Sequence, residues 1–246
     1  MNDTEWRFVA AFAAHFQRCG LHEGEKVAIL SESQSRGSLV TTARLAAQSL
    51  GGRVFDLVVP TPPSAHPVPI RSTGASQAIA HHDAVIAALA SSDLVIDCTV
   101  EGLLHAPELG RILGGGARVL MISNEHPEVF DRLGWDPDLP RRVEHGHQLL
   151  KAASTMRVTS AAGTDLTVRL AGGFSAGSTG LTAGPGSIAH WPGGLVLTFP
   201  AAHSVDGTVV LAPGDMNLTF NRLVESPVTL HIVDDHIEEI AGDGVD

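Results

Sequence analysis

DLVIDCT, Asp93 to Thr99, is the stretch that decides the fold. Leu94, Val95 and Ile96 are consecutive and apolar, so neither face of the segment offers a polar side to water. An extended run of this kind is a strand covered on both faces, the habit of parallel sheets. The segment before it, ASQAIAHHDAVIAALASS (Ala75–Ser92), reads as a helix. The segment after it, HAPELGRIL (His105–Leu113), reads as another, and Gly114 to Gly116 stop it. Pro107 falls in the first turn of that second helix, where a missing N–H costs nothing. Helix, buried strand and helix together are the repeating unit of a doubly wound sheet.

The alternation extends in both directions. Residues 4–18 carry Trp6, Val9, Phe12, Ala13 and Phe16 at helical spacing. A short buried strand is expected at Val27–Leu30, a helix over 38–50 closed by Gly51-Gly52, and a strand in RVFDLVVP (Arg53–Pro60). TPPSAHPVPIRS (Thr61–Ser72) reads as a proline-rich loop. ARVLMIS (Ala117–Ser123) is a further strand, followed by helices in EHPEVFDRLG (Glu125–Gly134) and DLPRRVEHGHQLLKAA (Asp138–Ala153). From Met156 the period changes to two, in short strands separated by Gly, Asn and Asp turns: MRVTSA, TDLTVRL, LVLTFP, GTVVLAP, VTLHIVD and HIEEIAG. The last two read as a hairpin turning at Asp234-Asp235. The fold class is therefore α/β: a doubly wound, Rossmann-like N-terminal domain over residues 1–153, followed by a β-rich second domain over 154–246. The chain stops at GDGVD without a final helix or charged tail, so the second domain reads as incomplete.

Composition excludes several functions. The formal net charge of −11 and the lack of any Lys/Arg cluster argue against a nucleic-acid partner. Charged residues make up only 17%, which suits large buried faces and a homo-oligomer. Cys19 and Cys98 both sit in apolar periodic segments and read as reduced core residues of a cytoplasmic protein. MNDTEWRFVAAF lacks the basic start and apolar core of a signal peptide, and no apolar run approaches the ~18 residues of a membrane span.

Motifs narrow the chemistry further. SESQSRGS after the first strand has neither G-x-G-x-x-G nor a Gly-Lys-Ser, so a nucleotide-phosphate cradle is not expected. GFSAG (Gly173–Gly177) matches G-x-S-x-G, but STGLTAGPGS after it cannot form the helix that a nucleophile elbow at Ser175 needs. Of the 13 histidines, the pairs His81-His82 and His145/His147 point to different helix faces, and His231 and His236 lie in the terminal hairpin. No metal-ligand set emerges from spacing alone. His105 stands apart, because it lies just beyond the carboxyl end of a central strand, where open α/β sheets bind ligands. An imidazole there can move a proton near neutral pH, or it can simply start a helix. His190 and Trp191 end a long Gly/Ser/Thr-rich loop, held by Pro192, and either face a planar ligand or plug a gap.

Several stretches together resemble the 2,5-dihydroxypyridine 5,6-dioxygenases, Fe(II) ring-cleaving enzymes related in fold to the M29 metallo-aminopeptidases. They are LVIDCT with LLHAPE, LLKAASTMRVTSAAGTDLTVRL, AHWPGGLVLTFPAAHSVDGTVVLAPGD and the tail VTLHIVDDHIEEIAG. The resemblance implies a small aromatic substrate, O2 and an Fe(II) cofactor. It places a catalytic acid/base role on His105 and substrate contacts on Leu104, His190 and Trp191. Three departures accompany it. Leu195 stands where the aminopeptidases carry a metal-binding glutamate, which disfavours a peptidase. The loop GGFSAGSTGLTAGPGSIA lacks the acidic residue that the dioxygenases place ahead of HWP. The family's iron ligands, two histidines and an aspartate, are expected beyond Asp246, so the chain by itself is expected to be inactive. Two other functions fit parts of the pattern: an M29-like aminopeptidase, and a non-catalytic binding or assembly module.

Overall fold

The computed structural model describes residues 5–63, 75–122, 124–217 and 222–243. In chain order the helices and strands are α1 (Trp6–Arg18), β1 (Lys26–Glu32), α2 (Gly37–Ser49), β2 (Arg53–Val59), α3 (Asp83–Ala90), β3 (Leu94–Asp97), α4 (Leu109–Gly114), β4 (Arg118–Met121), α5 (Pro127–Leu133) and α6 (Leu139–Ala152). The remainder is all strand: β5 (Thr155–Thr159), β6 (Asp165–Arg169), β7 (Phe174–Ser178), β8 (Ile188–His190), β9 (Leu195–Phe199), β10 (Val205–Leu211), β11 (Met216–Asn217), β12 (Arg222–Leu223), β13 (Val228–Val233) and β14 (His236–Ala241). The α/β class expected from the sequence is what the structure shows. The proline-rich stretch 61–72 lies mostly outside the described residues.

The chain divides into two compact units. One holds the described residues up to Leu139 together with Ser178–Gly194, and the other holds Pro140–Gly177 and the described residues from Leu195 on. The first unit is built on a parallel sheet of order β2-β1-β3-β4-β8. Alternation along its strands sends side chains to two cores. Val27, Ile29, Leu94, Ile96, Leu120 and Ala189 pack against α1, α2 and α5. Ala28, Leu30, Val95 and Val119 pack against α3 and α4. All four residues of β3 are buried, as are all four of β4, and all but Asp97 and Arg118 of these are apolar.

The second unit is antiparallel, with a five-stranded sheet β14-β13-β10-β6-β5 and the pairs β7-β9 and β11-β12. The hairpin between β13 and β14 turns at Asp234 and Asp235, both left-handed with φ of 53° and 72°. Two positive-φ residues make the reversed turn that matches strand twist, and aspartate tolerates that conformation.

Three local expectations need correction. The helix expected over Ala75–Ser92 forms only from Asp83, because His81 adopts φ 64°, a conformation that cannot propagate a right-handed helix. The helix expected from His105 starts at Leu109, so Pro107 lies in a turn ahead of it rather than in its first turn. The long loop before Trp191 contains two strands, β7 and β8. GFSAG falls on β7, a strand rather than a nucleophile elbow.

Candidate active site

Four side chains gather at the carboxyl edge of the parallel sheet. Glu32, Asp97, Met121 and His190 are the last residues of β1, β3, β4 and β8. Asp97 pairs in register with Met121, and Met121 with His190. Counting in twos along each strand puts all four on the α3/α4 side: Glu32 follows Leu30, Asp97 follows Val95, Met121 follows Val119, and His190 follows Ile188. Glu32 and Asp97 are buried and His190 is half-buried.

The segment after β3 folds over the same side. Leu103 and Ala106 are buried in the α3/α4 core, and the Ala106 N–H donates to the Leu103 carbonyl at 2.9 Å. Leu104 and His105 are therefore the two tip residues of a turn whose ends are fixed. Leu104 is half-buried and His105 is exposed. Gly102, with φ +79°, lets the backbone cross Met121, where a Cβ would come within 2.5 Å of the thioether sulfur. The segment after β1 joins in: Ser35 Oγ–H donates to the Cys98 carbonyl at 2.7 Å, and the Arg36 N–H to Asn124 Oδ1 at 2.6 Å.

Burial holds the His190 imidazole below its ordinary range, against the Glu125 charge and a hydrogen bond to the Pro192 carbonyl, which both favour the protonated ring. At neutral pH it is neutral, with one N–H committed to that carbonyl and the other nitrogen an acceptor.

Trp191 goes the other way. Its backbone N–H donates to the Met121 carbonyl at 2.9 Å, continuing the β8 pattern by one residue. Alternation then turns the indole, with Ala189, to the α1/α5 side, where it is 6% exposed and stacks on Phe130 at 3.7 Å between centroids and 12° between planes. The structure thus brings Leu104, His105 and His190 to one side of the sheet and Trp191 to the other.

A cleft of about 450 Å³ opens on the Trp191 side, walled by His15, Arg18, Phe130, Trp135 and Trp191 among others. Its imidazole is already engaged: His15 Nε2–H donates to the Gly180 carbonyl at 2.9 Å, and burial lowers its pKa to about 4. Cys19 and Cys98 are free and buried, as expected, and burial raises both thiols, so neither is a ready nucleophile.

Among the described residues no three His, Cys, Asp or Glu side chains meet where they could hold a metal ion. None of the described helices is long and apolar enough to cross a membrane. Asp97, Glu32 and Met121 escaped the sequence reading. The signal available was one acid at the end of each of two strands with apolar centres, VAIL in β1 and LVI in β3.

Residues 7–246 match the family described as 2,5-dihydroxypyridine 5,6-dioxygenase (NicX). A 2,5-dihydroxypyridine 5,6-dioxygenase of Pseudomonas putida KT2440 is 34% identical over 222 residues, covering 89% of this chain and 63% of the relative. The chain thus spans less than two thirds of that relative's length. The solved structure of the 2,5-dihydroxypyridine dioxygenase from Pseudomonas putida KT2440 superposes with a TM-score of 0.88 at 32% identity, covering 96% of this chain and 68% of that one. Wild-type AmpT from Thermus thermophilus superposes at 0.57 with 15% identity, covering 98% of this chain and 72% of that one, a likeness of fold alone.

Proposed function

The chain belongs to the 2,5-dihydroxypyridine 5,6-dioxygenase family, and from that membership we propose that it serves in ring cleavage of a hydroxylated pyridine such as 2,5-dihydroxypyridine, with O2 as co-substrate. The observation that carries this reading is the Leu104-His105 turn, which presents an apolar side chain and an exposed imidazole together at the carboxyl edge of the sheet. Leu104 lies against the face of the ring. His105 accepts the proton of a ring hydroxyl as electron density moves into the ring, and returns it as the ring opens. His190, neutral and with one nitrogen free to accept, holds a second hydroxyl. Trp191, wedged against Phe130, fixes the end of β8 and through it the position of His190.

The resemblance implies Fe(II), and the described residues do not fit an iron site. The metal in this reading is held outside them, and the steps assigned here are those of binding, orientation and proton transfer. Homo-oligomerisation and a cytoplasmic location remain part of the proposal.

The test is consumption of 2,5-dihydroxypyridine in air by a complete, Fe(II)-loaded protein that also carries the metal-binding residues this reading places outside the described ones, followed by the loss of its absorbance. His105→Ala should lower kcat by ~10²–10⁴, the usual worth of an acid–base group. An unchanged kcat removes His105 from the mechanism. No consumption by that complete, metal-loaded protein with His105 intact removes the activity itself.

A further inference from the structure

We propose that Asp97 and Glu32, acting through Thr99 and Ser76, form a carboxylate clamp that positions the Leu104-His105 turn. Asp97 is thus a positioning residue for His105. The inference rests on the catalytic reading above and names the machinery that holds its acid–base group in place.

A strand end does not need a buried acid. Asp97 is 0% exposed and Glu32 4%, and a carboxylate so far from water is costly unless its oxygens are met by donors. They are met almost entirely by one short segment. Asp97 Oδ1 accepts the Thr99 N–H at 3.0 Å and the Thr99 hydroxyl at 2.6 Å. Its Oδ2 accepts the Leu103 N–H at 2.7 Å. The Thr99 hydroxyl oxygen in turn accepts the Gly102 N–H at 3.1 Å. From the neighbouring strand, Glu32 Oε1 accepts the Val100 N–H at 3.2 Å and the Ser76 hydroxyl at 3.3 Å. The Ser76 N–H then closes the ring on the Gly102 carbonyl at 2.8 Å.

The backbone N–H groups of Thr99, Val100, Gly102 and Leu103 therefore all end on this network. The last of them, Leu103, opens the turn that lifts Leu104 and His105. The sheet gains nothing from these bonds, since the pairing of β3 with β4 is complete at Asp97. Burial pushes the Asp97 carboxyl up to about 6, against the three hydrogen bonds that hold it down. At neutral pH it is ionised, the acceptor-only form that these donors require. Charge-assisted hydrogen bonds are short and directional, so the clamp fixes direction as well as place.

Replacing Asp97 itself risks the fold, so the informative substitution is at Thr99. Thr99→Val keeps the shape and removes the hydroxyl; Thr99→Ser keeps the hydroxyl. In the whole chain, Thr99→Val should speed amide hydrogen exchange at Gly102 and Leu103 roughly tenfold and leave Val95 and Ile96 as slow as before. Thr99→Ser should behave as the parent. In the complete, Fe(II)-loaded protein of the activity test, Thr99→Val should lower kcat several-fold with KM little changed, and should lower it no further once His105 is already Ala. Non-additivity is the mark of two residues acting as one unit, which a general loss of stability does not produce. Unchanged exchange at Gly102 and Leu103 overturns the clamp. An equal loss of kcat with and without His105 overturns positioning through His105. His105→Ala with the parent's kcat overturns the catalytic reading instead, while the exchange result still decides the clamp.

Discussion

The two units solve the problem of covering a sheet in opposite ways. In the first, every residue of β3 and β4 is buried, because helices lie on both sides. In the second, no residue of β10 is fully buried although it is the central strand, and five of the six residues of β14 are exposed. Antiparallel sheets tolerate one wet face, but Val233, Ile237 and Ile240 are apolar and each more than half exposed. The same amino acid thus has a different worth in each unit. The turn bearing His105, to which we assign the proton transfer, follows β3, a strand of the unit that is covered on both faces.

A matched pair of substitutions gives the largest contrast. Ile96→Ala, at a position with no exposure, should cost about 2–5 kcal/mol. Ile240→Ala, 55% exposed, should stay within about 0.5 kcal/mol. Denaturant midpoints measure both, and similar losses would mean that the sheet of the second unit is covered in solution.

Acidity gives the next contrast, with a sign that reverses between the units. In the first, burial lowers His15 to about 4 from 6.5, so the neutral ring is the folded form. Its contribution is complete above pH 6.5 and is lost as the pH falls from 6.5 through 4, for a total of about 3 kcal/mol. His15→Gln should flatten the acid limb of the stability curve. In the second unit, the hydrogen bond and charge of Asp234 raise the pKa of His203. That contribution is complete below pH 6.5 and is lost as the pH rises through the raised value. Both partners are exposed, so the effect should be the smallest of the set, visible as a shift in the His203 ring resonances that Asp234→Asn removes.

The parallel strands were legible because burial on both faces leaves an apolar run that no other element explains. The terminal hairpin was legible from its two aspartates. β8 was not: Ile188-Ala189-His190 is too short to show a period, and only its pairing with Val119–Met121 makes it a strand. That pairing is also what decides between the two sides for His190 and Trp191, since counting back from Leu195 is interrupted at Pro192-Gly193-Gly194. His105 could be placed from its position after β3, but its support could not. A lone Asp in LVIDC does not reveal that its oxygens will bind the N–H groups of Thr99 and Leu103.

The placement of β8 has a consequence for how the chain is made. The first unit is not a continuous stretch of sequence: its edge strand arrives after α6 and β5 to β7, which belong to the other unit. A ribosome must therefore deliver some 190 residues before β4 can acquire its last neighbour. Until then β4 waits with an open, apolar edge, the kind of surface on which nascent chains adhere to one another. A cut at residue 153, the natural place to divide the sequence by its pattern, would make that interval permanent. Fragments of this protein should accordingly be prepared through Gly194 if the parallel sheet is to close.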